Sequence, residues 1–509
     1  MVLEAGVDAF ASAQADGSLV IDVREPQEYA AGHVPARMRG EQPMDTIAAA
    51  GVQIVAIDTP ALGDRSYLAH DGTIALVVDP QRDIDRILAL AGRLGVSVRH
   101  VFETHLHNDY VTGGLALARA TGAEYHVNAA DDVAFDRSGV RDRDVIEVAP
   151  DLRIRALATP GHTFTHLAYA LEARGRPVAV FTGGSLLYGS TGRPDLLGTG
   201  HASELAHAQF ASARRLAAEL PGDAAVYPTH GFGSFCSATQ HEATSSTIAR
   251  EKQVNQVLTA DEEHYVTDLL AALDTYPAYY ARMGPANAAG PDGPDLRPAS
   301  RADAAELHRR IEAGEWVVDL RDRTVFAAGH VAGTLSFAIG DGIATYLGWM
   351  ISPDAPLTLL GATPEQVAEA QRELARIGIG RPQAAATGRP EEWAGGQPLR
   401  SYPTARFEDL RAVLHHRQVV ILDVRLKLER EASHLDGSVH IPLHELPDRL
   451  GELPDREVWV YCGGGHRASI AASVLDAAGR TVVAVDDTFQ RAADVGLPLR
   501  RRDQAGVPA

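Results

Sequence analysis

Two cysteines in 509 residues, Cys236 and Cys462, are too few for a disulfide framework. Each is either an inert small hydrophobe or a chemical thiol. Long apolar runs are also missing, since none approaches the roughly 18 to 20 residues that span a bilayer. The opening segment MVLEAGVDAF sets Glu4 and Asp8 where a secretory leader would be basic. A cytoplasmic protein without a membrane partner is expected. Positive charge is short as well: 47 Lys and Arg against 67 Asp and Glu leave a net charge of -20. That field repels polyphosphate, which excludes nucleic acid as a partner and leaves any bound anion to local donors.

What is present is ordinary globular sequence, 45% hydrophobic and 22% charged, which excludes a disordered chain. The length allows roughly three or four domains. One pattern recurs three times, in SLVIDVREPQEYAAGHVPAR, EWVVDLRDRTVFAAGHVAGT and VVILDVRLKLEREASHLDGS. Each copy is an apolar strand, then Asp-x-Arg, then a histidine (His33, His330, His434) about ten residues on. Unequal spacing between copies indicates duplicated domains rather than a solenoid. The second and third copies continue into a β-type run and a helix (LTLLGATPEQVAEAQRELARIGI and VWVYCGGGHRASIAASVLDAAGR), which suits a small parallel α/β domain with ligands at the carboxyl ends of its strands. The first copy is too short to be a domain. Between the first two copies, apolar strands such as VQIVAID and TIALVVD alternate with helices such as DIDRILALAGRLG. The Pro- and Gly-rich stretches 284–300 and 380–403 read as linkers.

Chemistry concentrates at two places. ETHLHNDYVTGG follows the strand SVRHVFE, and His105 and His107 stand two residues apart, so both imidazoles can reach one ion. His162 in TPGHTFTH, Gly184 in FTGGSLL and His230 in YPTHGFGSFC each come just past an apolar strand, so all can gather at one sheet edge. The second place is YCGGGHRAS. Cys462 ends a strand, three glycines let successive N–H groups turn inward, and a helix begins at once, an arrangement that stabilises a thiolate and an anion beside it.

His-x-His-x-Asp followed by TPGHT, FTG and P-x-His resembles the metallo-β-lactamase fold over about 230 residues. Within it the pattern resembles the glyoxalase II and persulfide dioxygenase branch. The resemblance assigns His105, His107 and His162 to one metal position and Asp109 and His230 to a second. Tyr110 stands where the family normally has histidine, and Gly184 where it has a metal-touching aspartate, so a single ion on three histidines is expected. Fe(II) suits such a site, and Zn also fits it. Tyr110 can pack, donate to bound oxygen or act as a phenolate ligand.

The CGGGHR loop and the Asp-x-Arg…His repeats resemble rhodanese domains. On that resemblance Cys462 accepts sulfane sulfur, and Arg467 with the loop amides holds thiosulfate or sulfite. The middle copy aligns Gly361 with Cys462 and Gln366 with Arg467, so it should be catalytically silent. The implied architecture is α/β, a metallo-β-lactamase αββα sandwich followed by two rhodanese-like α/β domains. Its divisions are a rhodanese-like N-terminal fragment at 1–39, the metal domain at 40–283, an inactive rhodanese-like domain at 301–380 and an active one at 404–500.

The fusion resembles persulfide dioxygenase and rhodanese fusions. It implies an enzyme that oxidises a low-molecular-weight thiol persulfide such as glutathione persulfide with O2 to sulfite, with Cys462 and Arg467 carrying sulfur transfer and Asp109, Tyr110 or His230 orienting oxygen or water. Tethering raises the effective concentration of a shared intermediate. The alternatives are a zinc thioester hydrolase of glyoxalase II type and a sulfurtransferase or docking protein with a degenerate metal domain. The oligomeric state, monomer or homo-oligomer, is open.

Overall fold

A computed structural model describes residues 45–47, 51–239, 243–340 and 342–501, the first three by backbone alone. The N-terminal fragment with His33 lies outside the described residues. The sheet β1 (Asp45–Ile47), β2 (Val52–Thr59), β3 (Asp64–His70), β4 (Ile74–Val78), β5 (Ser97–Phe102), β6 (Glu124–Asn128) and β7 (Ser138–Val140) runs in chain order. A second sheet is ordered β13-β12-β11-β10-β9-β8, from β8 (Val145–Ala149), β9 (Leu152–Ala158), β10 (Leu167–Ala173), β11 (Arg176–Gly183), β12 (Ala225–Pro228) and β13 (Ser246–Thr247).

The side chains explain the layering. In β4, Leu76 and Val78 face Ile154, Tyr169 and Phe181 of the other sheet, while Ala75 and Val77 face the helices Asp85–Leu94 and Gly114–Thr121. A strand buried on both faces reads as the continuous apolar run TIALVV. Helices Ala202–Glu219 and Glu262–Ala271 cover the second sheet through Ala206, Ala213, Leu216 and Leu269. The result is helix, sheet, sheet, helix.

Two all-parallel sheets follow. One is β14-β18-β17-β15-β16, from β14 (Ser300–Arg301), β15 (Trp316–Asp319), β16 (Leu335–Ser336), β17 (Leu357–Gly361) and β18 (Ala384–Thr387). The other is β19-β24-β23-β20-β22, from β19 (Thr404–Ala405), β20 (Val420–Asp423), β22 (Val439–His440), β23 (Val458–Tyr461) and β24 (Val482–Val485), with β21 (Ser433–Leu435) paired to β25 (Leu499–Arg501). Both place their strands in the same succession. The Asp-x-Arg motif does the same structural work in each. Arg321 bonds Asp319 at 2.6 Å and the Gly329 carbonyl at 2.9 Å, and Arg425 bonds Asp423 and the Ser433 carbonyl, each at 2.8 Å.

Both linker readings need correction. Residues 284–289 continue the helix Tyr280–Ala289, whose Asn287 is buried, and 384–387 form β18, an interior strand between β14 and β17. Small residues hid them: the AAAT of β18 has no hydrophobic period to detect.

One apolar cluster runs from Tyr110, Cys236 and Tyr279 through Val318, Leu347 and Leu374 to Val460 and Cys462. Polar contacts join the same segments. Asp83, fully buried, receives Arg376 at 2.8 Å and Arg372 at 3.4 Å, and the Val111 N–H donates to the Arg376 carbonyl at 2.7 Å. Arg376→Ala removes one partner of a buried carboxylate, and should lower unfolding free energy on the order of 3 kcal/mol, read by urea titration.

Candidate metal centre and thiol loop

Five loops meet at one edge of the sandwich, four of them bringing polar side chains. His105, His107 and Asp109 follow β5, His162 follows β9, Gly184 follows β11, His230 follows β12, and Asp64 opens β3 at the same edge. His105, His107, His162, His230, Asp109 and Asp64 are all buried.

The ring nitrogens are assigned by their partners. The Thr104 hydroxyl donates to Asp79 Oδ2 at 2.8 Å, so it accepts from His105 Nδ1 at 2.9 Å and leaves the lone pair of His105 on Nε2. His162 Nδ1 donates to the Arg193 carbonyl at 2.8 Å, and its buried Nε2 has no partner among the described residues. His230 Nδ1 donates to Asp64 Oδ1 at 2.9 Å and lies 3.2 Å from Asp109 Oδ2, while its Nε2 is 3.5 Å from His105 Nε2. Ring centroids of these three histidines stand 4.8, 5.2 and 5.4 Å apart with the rings mutually tilted by 52 to 84°. Their ligand nitrogens all lie within 4.8 Å of one another.

His107 faces differently. Its Nε2 is 3.2 Å from both Asp79 Oδ1 and Glu103 Oε2, and its ring stacks on Tyr110 at 4.3 Å. Asp79 takes this position from a backbone at φ 50°, fixed by the Thr104 N–H at 2.7 Å and by the Thr229 hydroxyl. His107 joins Asp109 and His230 in a second close set, and its buried Nδ1 is unpartnered among the described residues. The expected trio of His105, His107 and His162 is therefore distributed: His105 and His162 converge with His230, and His107 stands beside them. Tyr110 is fully buried in the apolar cluster, with its hydroxyl 3.4 Å from the Asp79 carbonyl.

Electrostatics separates the groups further. Burial, then the neighbouring imidazoles, hold His105 and His162 well below the usual histidine value, so both are neutral and able to ligate. Burial works against charge at His107 and His230 too, but Asp79 and Glu103 raise the first to about 9, and Asp109 and Asp64 raise the second to about 10, so a cation that bound His230 at Nε2 would displace the proton there. Asp64 itself is pushed up to about 7 by burial and by Asp109.

Gly184 has a steric reason. A Cβ there would run into the His162 ring, and one at Gly192 would stand 2.6 Å from His162 Nδ1. The two glycines clasp the imidazole, and neither can carry a side chain while it stays there. Asn287 clamps the loop from behind, donating to the His107 carbonyl at 2.8 Å and the Tyr110 carbonyl at 2.9 Å. Asp64, Asp79 and Asn287 went unnoticed in the sequence, where each is a single polar residue without a motif. Cys236 is buried in the apolar cluster, its thiol pushed up by burial and by Asp109.

In the second constellation Cys462 ends β23, buried, ahead of the helix His466–Ala477. Gly465 has φ 86°, and a Cβ there would strike Asp486 Oδ1, so only glycine makes this turn. Among the described residues no acceptor meets the amides of Gly463, Gly464 and Gly465, which remain available to an anion. Arg467 is engaged: its two terminal nitrogens reach Glu429 at 2.6 and 2.7 Å. In the middle unit the equivalent loop closes on itself, because Gln366 Oε1 accepts from the Ala362 N–H at 2.8 Å and Thr363 caps the helix.

The surroundings of the Cys462 loop come from three segments. Phe235, Tyr346, Trp349 and Met350 line a narrow cleft with Arg467 and His444. Tyr346 lies 5.3 Å from the His466 ring, and Trp349 stacks on His444 at 4.4 Å. His444 and Leu426 also border an open groove of about 440 Å³ that carries Lys427, Arg430 and Arg449. His330 and His434 are structural: His330 bridges the Phe326 carbonyl and Asp476, and His434 donates to the Arg430 carbonyl.

Residues 61–230 match the metallo-beta-lactamase superfamily, and residues 407–491 match the rhodanese-like domain. The chain is 33% identical over 160 residues to a hydroxyacylglutathione hydrolase of Polaromonas sp., which is 31% of this chain and 57% of that relative's length. It is 30% identical over 238 residues to the hydroxyacylglutathione hydrolase of Cupriavidus taiwanensis, 40% of this chain and 85% of the relative. Against the mitochondrial persulfide dioxygenase ETHE1 of Homo sapiens it is 29% identical over 222 residues, 41% of this chain and 74% of the relative. A crystal structure of a metallo-beta-lactamase from Staphylococcus aureus shares the fold, with a TM-score of 0.59 at 24% identity over 67% of this chain and all of that one. No described helix is long and apolar enough to cross a membrane.

Proposed function

Because the chain belongs to the metallo-beta-lactamase superfamily and carries a rhodanese-like domain toward its C-terminus, we propose that it oxidises a low-molecular-weight thiol persulfide with O2 and moves sulfane sulfur through Cys462. The overall oxidation is RSSH + O2 + H2O → RSH + sulfite + 2 H⁺. In the transfer, the Cys462 thiolate attacks the outer sulfur of thiosulfate, the S–S bond breaks, sulfite leaves with the electron pair, and a thiol then takes the sulfur from the cysteine persulfide.

The observation that supports this most is the buried, unpartnered Nε2 of His162 beside the neutral His105, in a set of three imidazoles whose nitrogens lie within 4.8 Å of one another, with no carboxylate available at position 184. Such nitrogens are costly to bury unless something binds them, and they suit ferrous iron or zinc. Bound ferrous iron supplies the electron transfer that O2 requires, which zinc does not. The protein's own groups do the rest. The histidines would hold the ion, Asp109 orients the substrate sulfur or a water, and Tyr110 braces His107 by stacking. The middle unit serves as a wall: its Tyr346, Trp349 and Met350 shape the approach to the Cys462 loop. The Gly463–Gly465 amides hold the sulfite oxygens, with Arg467 holding the loop through Glu429.

An oxygen electrode tests the first half. Iron-loaded protein should consume one O2 per glutathione persulfide and release one sulfite. Full iron content with no uptake overturns it, and hydrolysis of S-lactoylglutathione by zinc-loaded protein would favour a thioester hydrolase instead.

A further inference from the structure

We infer that His230 takes the coordination position left by the absent carboxylate at 184, so that one ion is held by His105, His162 and His230 rather than by His105, His107 and His162. This rests on the reading that the sandwich edge holds a single ion.

Three observations carry it. First, each of the three rings is pinned at Nδ1 by an oxygen of the protein: Thr104 for His105, the Arg193 carbonyl for His162 and Asp64 for His230. Such outer contacts orient a ligating histidine and present its other nitrogen. Second, the ligand nitrogens of the three lie within 4.8 Å of one another, and one pair has the spacing of a shared ion. Two imidazoles bound tetrahedrally at about 2.1 Å stand about 3.4 Å apart, and His105 Nε2 and His230 Nε2 are 3.5 Å apart. Third, position 184 is closed. The His162 ring occupies the space that any side chain there would need, and Gly192 seals its other side. His107 is met at Nε2 by Asp79 and Glu103, and its nitrogens do not join those of His105 and His162 in one close set, whereas His230 does. Asp64 then has a defined task as the positioning residue that aims His230 at the ion.

Co(II) serves as probe, since its visible bands report coordination without turnover. The intact protein is titrated with Co(II), and affinity is measured against a competing chelator. Wild type should bind one Co(II) per chain. His230→Gly should weaken binding by about 100-fold or more, and added imidazole should restore both affinity and bands. Asp64→Asn should cost about 10- to 100-fold. His107→Gln should change affinity by less than about 3-fold and leave the bands in place. Gly184→Asp, which restores the residue normal in related sites, should fail to tighten binding. Loss of the ion in His107→Gln with retention in His230→Gly overturns the inference, as does tighter binding in Gly184→Asp. A wild-type chain that binds no Co(II), Fe(II) or Zn(II) overturns the single-ion reading itself.

Discussion

Cys462→Ser abolishes thiosulfate:cyanide sulfurtransferase activity, by at least about 1,000-fold, while bound iron and persulfide-dependent O2 uptake stay within about 2-fold of wild type. On the proposed reading the sulfur would travel covalently, and a serine hydroxyl neither attacks thiosulfate at neutral pH nor forms a bond that a thiol can reverse. The loop after the sulfur suits an anion: among the described residues its three glycine amides have no protein acceptor, a helix begins at His466 directly after them, and Gly465 makes the turn between the two. Nothing in that arrangement depends on the sulfur once folding is complete, so the serine variant should retain its fold and its melting temperature. Thiosulfate consumption followed colorimetrically, with intact-mass detection of a +32 Da cysteine persulfide in wild type only, checks both parts. Full transfer activity in the serine variant would remove Cys462 from the reaction.

How much of this was readable in advance depends on how local each signal is. Candidate metal-ligating histidines that closely follow apolar strands announce themselves, because the strand supplies the direction and the motif supplies the donor. His105, His162 and His230 were all visible in this way. Their grouping was not. Residues two apart share a face only while the strand continues, and β5 ends at Phe102. Beyond it the loop turns His107 toward Asp79 and Glu103, a choice made by a residue 28 positions upstream in sequence. Asp64 and Asn287 reach the site only through tertiary packing, so nothing nearby in sequence marks them. The Cys462 loop was legible because strand, glycines and helix lie consecutively. The engagement of Arg467 by Glu429, 38 residues earlier, was not. In the fold the same rule holds. Leu- and Val-rich strands were evident, but the alanine strand β18 passed for a linker because its buried Ala384 and Ala386 alternate with residues too similar in hydrophobicity to show a period.

The opposite separation of activities follows from His162. His162→Ala removes an imidazole whose Nε2 is buried and otherwise unsatisfied, so on the proposed reading bound iron and O2 uptake should both fall by at least about 100-fold, while Cys462-dependent transfer from thiosulfate should persist within about 2-fold. Position 162 is the most informative of the histidines to change. Its ring is clasped by Gly184 and Gly192, so its removal leaves open space between two glycines rather than an unpaired buried carboxylate, as loss of His107 or His230 would. The fold should therefore survive, with a modest drop in unfolding temperature. Exhaustive chelation of the wild-type protein should reproduce the same selective loss, and returning Fe(II) should reverse it in the wild type but not in the variant. Metal content by plasma emission, O2 electrode traces and sulfurtransferase rates on the same preparations measure all three. If O2 uptake survives in His162→Ala with iron still bound, the ion sits elsewhere, and the convergence of imidazoles at this edge is structural.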